Sequence, residues 1–231
     1  MQLILASNNA KKLAELGALF QPLAIELLPQ SALGIDEAEE PHHSFVENAL
    51  AKARHAARAS GLPAIADDSG LAVAALGGAP GVISAHYADL GTTAGEAAND
   101  AGAHFGDRQA APMSDREALR ARQDSANNRR LLAELAALPP GTSRSARFVC
   151  VLVAIRSADD PEPLIAIGRW EGEILAQLRG AGGFGYDPLM FIPALGQTVA
   201  ELPAAIKNRH SHRALACAQM LELMRLAWQL G

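Results

Sequence analysis

The run Arg147-Phe148-Val149-Cys150-Val151-Leu152-Val153-Ala154-Ile155 most constrains the fold. A continuous apolar stretch rich in β-branched residues, with no Gly or Pro, reads as a strand. A turn at 157–162 follows, and 163–170 returns as its hairpin partner. Around this hairpin the pattern alternates. Residues 2–6 form a short apolar run, followed by Ser7-Asn8-Asn9 and a helical pattern with Leu13, Leu16, Gly17 and Phe20 on one face. Ser44-Phe45-Val46-Glu47 has the form of a capping box, opening a helix that should run to Ser60 and stop at Gly61. Ala64-Ile65-Ala66 reads as a strand ending at Asp67-Asp68-Ser69-Gly70, and 211–230 as a last amphipathic helix. Strands alternating with helices, plus one long antiparallel hairpin, predict an α/β protein with a mixed sheet. The segment 91–130 reads as an insertion, weakly periodic until a helical pattern at 115–138.

Four short constellations carry chemistry. The first is Ser7-Asn8-Asn9-Ala10-Lys11-Lys12 between a strand and a helix. A helix N-terminus offers unpaired N–H groups and a positive dipole end, which suit a phosphate. Lysines in a first turn are unfavourable unless an anion lies near, so Lys11 and Lys12 hint at one. An ordinary polar turn with two solvated lysines fits the same letters.

The second constellation is Asp67-Asp68. Adjacent residues of a strand point to opposite sides, so the two acids are not automatically a dyad. Carboxylates at the C-terminal end of a strand are nonetheless where α/β proteins handle ligands. Magnesium takes hard oxygen ligands, often one or two carboxylates plus phosphate oxygens. Asp36, Glu37, Glu39 and Glu40 form another acidic group, which alone reads as a solvated loop.

The third is Gly180-Ala181-Gly182-Gly183-Phe184-Gly185-Tyr186-Asp187-Pro188, where glycines permit close backbone approach and Phe184 and Tyr186 can stack on a flat base. Aromatics are scarce in this chain, 4% of residues, so each is informative. The fourth is Lys207-Asn208-Arg209-His210-Ser211-His212-Arg213 at the start of the last helix.

A formal charge of −5 offers no general basic surface, which argues against nucleic acid as the main ligand. No apolar stretch approaches the ~20 residues that span a bilayer, and the first residues read as a strand rather than a leader. Cytoplasmic location is therefore the expectation, with no membrane partner. Cys150 and Cys217 sit in apolar runs with no CxxC or Cys/His grouping, and read as buried thiols.

In order along the chain, LASNNAKK with Glu15, SFVENALAKA (44–53), PAIADDSGLAV (63–73), GGAPGVIS (77–84), RFVCVLV (147–153), GGFGYDP (182–188) and Ser211-His212-Arg213 resemble the inosine triphosphate pyrophosphatase family. The resemblance covers nearly the whole chain except about 91–130. It implies an α/β, two-lobed fold around a long central mixed β-sheet with flanking helices, with a substrate cleft between the lobes. A single pyrophosphatase domain would occupy 1–231. It implies a homodimer, Mg2+ as cofactor, and hydrolysis of ITP, dITP or XTP to the monophosphate and pyrophosphate.

By match to the family's motifs, Ser7, Asn8, Asn9, Ala10, Lys11 and Lys12 would hold the triphosphate, and Lys52 would add a cation. Asp68 would be the catalytic, metal-binding carboxylate, with Glu40 or Glu39 as the second. Ser69, Phe184, Gly185, Tyr186, Asp187, Lys207, His212 and Arg213 would contact the rest of the substrate. Hypoxanthine and xanthine accept hydrogen bonds at position 6, where adenine donates. Backbone amides near Phe184 or Asp187, with Arg213 or Lys207, are the expected donors. The resemblance also shows departures. His86 stands where an arginine is expected, and Arg209-His210 is unusually basic. A nucleotide-binding protein without turnover and a pyrophosphatase for modified pyrimidines are the other readings.

Overall fold

A computed structural model describes residues 1–20, 25–89 and 113–230, with the side chains at 10, 11 and 113–117 outside the description. Most of the expected insertion, 90–112, lies outside it as well. The described strands are β1 (Gln2–Leu5), β2 (Glu26–Pro29), β3 (Ala64–Val73), β4 (Ser145–Ile155), β5 (Leu164–Ile174), β6 (Met190–Ile192) and β7 (Gln197–Thr198). The helices are α1 (Ala10–Phe20), α2 (Phe45–Ser60), α3 (Met113–Ala136), α4 (Ala204–His210) and α5 (His212–Trp228). The strands form one open sheet in the order β2-β1-β3-β4-β5-β6-β7. It is mixed: β1 runs parallel to β2 and β3, while β6 runs antiparallel to β5 and β7.

The chain divides into two compact units. The first comprises Met1–Gly70, Arg147–Glu171 and Pro203–Gly231. Its sheet is covered on both faces. Leu16 and Phe20 of α1 and Ala216, Cys217, Met220 and Met224 of α5 pack with Leu3, Leu5, Ile65, Cys150 and Leu152. On the other face Ala49, Ala53, Ala56 and Ala57 of α2 pack with Ile4, Ala64, Ala66, Val149, Val151 and Val153. Each of β1, β3 and β4 thus sends alternate side chains to two different helical layers, as the pleat requires. The small alanines of α2 let that helix lie close against the sheet. Both cysteines are free and buried, as expected.

The second unit comprises Leu71–Ala146 and Gly172–Leu202. Here α3 packs against the irregular 3-10 segment Gly81–Asp89. The Asn127 side chain accepts from Ala88 N–H at 2.8 Å and donates to Ser84 O and Ala85 O at 3.2 and 3.0 Å. Arg130 donates to Tyr87 O at 2.7 Å. One asparagine therefore satisfies three backbone groups that an irregular turn leaves open.

The structure differs from the sequence expectations at several places. β3 does not stop at the acid pair but continues to Val73, and Asp67 and Asp68 can be buried within it because each meets a cation. β5 extends to Ile174 in strict alternation of exposed and buried residues. Gly17 is exposed, so the apolar stripe of α1 rests on Leu13, Leu16 and Phe20. Ser44 caps α2 through its Oγ, which accepts from Glu47 N–H at 3.4 Å, but the Glu47 carboxylate returns to the Ser44 hydroxyl at 2.5 Å. The reciprocal bond expected of a capping box goes to a side chain instead of the backbone. The expected last helix is α5, capped by Ser211, whose Oγ accepts from Ala214 N–H at 3.1 Å, and a short helix α4 not expected from sequence precedes it. α3 covers most of the expected 115–138 helix.

Candidate active site

The turn between β1 and α1 is built by its own side chains. Ser7 Oγ accepts from Asn9 N–H, and Asn9 Oδ1 accepts from Lys12 N–H, each at 3.3 Å. Asn9 thus caps α1, as a short polar side chain does at a helix start. Asn8 Oδ1 is buried without a hydrogen-bond partner. The side chains of Ala10 and Lys11 lie outside the described residues. Lys12 is not the unmatched first-turn cation that the sequence suggested: its Nζ lies 2.9 Å from Asp67 Oδ2.

The acid pair on β3 divides between two helical layers. Ile65 belongs to the face under α1 and α5, and Ala64 and Ala66 to the face under α2. Period two therefore sends Asp67 toward α1 and α5 and Asp68 toward α2. Asp67 meets Lys12 of α1, Arg213 of α5 at 3.7 Å, and the Ser69 hydroxyl, which donates at 3.1 Å. Burial alone would raise its pKa, but Lys12, Arg213 and Lys52 outweigh burial and hold the carboxyl well below its usual range.

Asp68 Oδ1 meets Lys52 Nζ of α2 at 3.3 Å and accepts from Ser69 N–H at 3.1 Å. Lys52 also donates to Glu40 Oε1 at 3.0 Å. Asp68 is pushed up to about 6, first by burial and then by Glu40 and Asp67, with Lys52 and Lys12 opposing. Its Oδ2 is buried and takes no hydrogen bond. Such an oxygen is costly to leave unpaired and suits a hard cation or a water.

Of the two candidates for the second carboxylate, Glu40 is the one that the structure brings beside Asp68. Glu40 reaches Asp68 through Lys52, whereas Glu39 is exposed and takes no part. Among the described residues no three His, Cys, Asp or Glu side chains form a metal cage. An orphaned Asp68 oxygen with the half-exposed Glu40 beside it nonetheless fits Mg2+, which takes few protein ligands and fills its sphere with water and phosphate oxygens.

α4 and α5 contribute a third group. Glu15 of α1 binds Lys207 at 3.2 Å and also Arg213 Nη1, while Arg213 Nη2 donates to Ser69 Oγ at 3.3 Å. Arg213 is only 1% exposed. His212 stacks on Phe148 at 4.9 Å, and its Nδ1 is buried without a partner. Burial first, then Arg213 and Lys207, keep His212 well below the ordinary value of 6.5, so the ring is neutral.

Phe184, Gly185, Tyr186 and Asp187 belong to the second unit. Phe184 N–H donates to Asp187 Oδ2 at 3.0 Å, and Asp187 N–H to Phe184 O at 3.2 Å. The backbone amides expected to read the base are thus engaged within their own loop. Gly183 is required beside them, since it has φ +74° and a Cβ would lie 2.0 Å from Asp187 Oδ2. Tyr186 is buried with its hydroxyl on Ser84 O at 3.0 Å, so it anchors the loop and is not a stacking surface. His86 is exposed, its Nδ1 3.4 Å from Asp89 Oδ2.

Sequence reasoning assigned no role to Asp67 or Glu15. Both are now seen to hold the cations in place. The usable signal was parity: an acid on a strand opposite a basic helix start needs a partner.

Fold and site together define an α/β protein in which an interior strand of the sheet carries two buried carboxylates, each matched to a lysine from a different helix. The Ham1 family model matches residues 3–111 and 107–223, and the chain belongs to that family. A dITP/XTP pyrophosphatase of Leptothrix cholodnii is 66% identical over 231 residues, 100% of each chain. One of Methylibium petroleiphilum is 60% identical over 228 residues, 99% of each. Among solved structures, a HAM1 protein from Coxiella burnetii is 39% identical with a TM-score of 0.79, covering 98% of this chain and 99% of that one.

Proposed function

We propose that this protein hydrolyses non-canonical purine nucleoside triphosphates such as dITP, ITP and XTP between the α and β phosphates, releasing the monophosphate and pyrophosphate. The observation that carries the reading is Asp68, buried, with Oδ1 held by Lys52 and the Ser69 amide and Oδ2 unpartnered. The names of the two close relatives supply the substrate class.

Glu40 and Asp68 would hold Mg2+, which when bound neutralises charge on the phosphate oxygens. Ser7 to Lys12, with the start of α1, bind the triphosphate, and Lys52 adds positive charge where the pyrophosphate leaves. Asp68 orients the attacking water and accepts its proton. Arg213 and Lys207 supply the donors for the oxygen at purine position 6, since Phe184 and Asp187 keep their amides for each other. Adenine would leave those cations facing an amino group, a strong basis for rejection. A homodimer and a cytoplasmic location belong to the same proposal, supported by the family resemblance; among the described residues no helix is long and apolar enough to cross a membrane.

Pyrophosphate release from dITP, XTP, dATP and dGTP with Mg2+ tests this. Asp68→Asn should lower turnover of dITP and XTP at least about a hundredfold, as loss of a general base does. Turnover of none of these by the folded wild type would sink the reading, leaving nucleotide binding alone or a modified pyrimidine. Lys207→Ala should narrow the preference for dITP over dATP by about tenfold, the worth of one charged hydrogen bond. An unchanged ratio would remove Lys207 from base recognition.

A further inference from the structure

Gly185 is gripped from both sides by one turn of a helix. Its N–H donates to Asp124 Oδ2 at 2.8 Å, and its carbonyl accepts from Asn128 Nδ2 at 2.9 Å. Asp124 and Asn128 are four residues apart on α3, so they share one face. The pair presents an acceptor and a donor in the order that a single residue's backbone requires. Gly185 sits at φ +60° with no neighbour near its missing Cβ, so the grip is on its peptide groups and not on a close-packed surface.

Asn128 is 5% exposed, and its Nδ2 bond to a carbonyl fixes the amide orientation, because an oxygen there would face an oxygen. Its Oδ1 is consequently left buried without a partner. The Asn128 donor is therefore supplied at the cost of a buried, unpartnered oxygen on the same side chain.

The residues around Gly185 make other bonds, and those described for Phe184 stay inside its own loop. Phe184 and Asp187 bond each other, and Tyr186 is tied to Ser84 O. Among the bonds described, only the two peptide groups that flank the Gly185 Cα, 184–185 and 185–186, tie this loop to α3. The 184–185 peptide also carries the carbonyl of Phe184, the ring assigned to the base, so a shift of that peptide away from α3 carries the ring with it. We propose that Asp124 and Asn128 are positioning residues that set the pose of Phe184 for a 6-oxopurine base, acting through the backbone of Gly185. The proposal rests on the assignment of the 184–187 loop to the nucleotide base.

The chemistry predicts an asymmetric substitution pattern. Position 124 needs an acceptor, which an amide oxygen can supply, so its charge is dispensable. Position 128 needs a donor, which a carboxylate cannot supply. Steady-state pyrophosphate release from dITP and dATP with Mg2+, alongside thermal melting, tests the pattern on the full chain. Asp124→Ala and Asn128→Ala should raise KM for dITP about tenfold while kcat falls less than about threefold, and the dITP over dATP preference should drop. Asp124→Asn should bring KM back to within about twofold of wild type, and Asn128→Asp should not.

Loss of Tm alone, with KM and selectivity unchanged in all four variants, would overturn the proposal and make the pair an ordinary packing contact. So would Asp124→Asn behaving as badly as Asp124→Ala. If an alanine variant does not fold, the Asp124→Asn and Asn128→Asp pair still decides the matter. A wild type that turns over neither nucleotide would refute the functional reading itself, which the variants' kinetics do not address.

Discussion

Asp67 and Asp68 are neighbours in sequence but belong to different layers of the molecule. Asp67 is a fixed charge: Lys12, Arg213 and the Ser69 hydroxyl all turn to it. Removing one partner of such a buried group is costly, because it strands the others without compensation. Each acid is held on one oxygen and leaves the other without a hydrogen-bond partner. What separates Asp68 is that burial, Glu40 and Asp67 push it up to about 6, so it can take up a proton where Asp67 cannot. His212 poses a separate residue-scale question. Its pKa is depressed in the folded state from the ordinary 6.5, so its stabilising contribution is present above about pH 6.5 and lost as pH falls below it. Urea midpoints should therefore drop between pH 7 and pH 5, and drop less in His212→Gln, even though that variant loses the stack on Phe148. Equal slopes in the two proteins would show that His212 is not the group responsible.

At the scale of elements, the approach of α5 to β5 depends on an absent side chain. A Cβ on Gly168 would lie 1.9 Å from the His212 carbonyl oxygen and 2.6 Å from Ala216 N. Both neighbours are helix backbone, which cannot step aside without moving α5 as a whole. Gly168→Ala should consequently destabilise the protein by about 3 kcal/mol, at the upper end for overpacking, as read from chemical denaturation. Since α5 begins with His212 and Arg213, the same change should also lower dITP turnover. A stability within about 0.5 kcal/mol of wild type would mean that α5 can shift freely. The elements that sequence missed are instructive. β2, β6 and β7 have four, three and two residues, too short for their own periodicity to show, and they exist because a neighbouring strand completes their hydrogen bonds.

At the scale of the molecule, the two units exchange the chain at Gly70 to Leu71, Ala146 to Arg147, Glu171 to Gly172 and Leu202 to Pro203. The first three exchanges fall inside β3, β4 and β5, so neither unit is a contiguous piece that could be cut away. A ligand that binds only the folded chain should stabilise it. With Mg2+ and α,β-methylene dITP at a hundred times its Kd, the gain is about 2.7 kcal/mol. For a chain of this size that corresponds to a Tm increase of about 5–10 °C. The dATP counterpart at the same concentration should give far less. Equal shifts would place the selectivity in the chemical step instead of in binding.

The sequence by itself determined the local elements and the identity of the chemical groups. The apolar run of β4, the cap at Ser44, the stop at Gly61 and the order of the motifs are written in near-neighbour patterns, where spacing alone carries the physics. The alternation of Asp67 and Asp68 across β3 was also legible, because a strand's period is fixed. Only the tertiary structure decided which helix lies on which face. That gave Asp67 to Lys12 and Arg213, gave Asp68 and Glu40 a shared partner in Lys52, and left Glu39 outside. Glu15 and Arg213, which share this cluster, are 198 positions apart, and no local pattern specifies a partner at such a distance. Such pairings are set by which layers cover the sheet, and by the cost of burying any charge without an opposite one beside it.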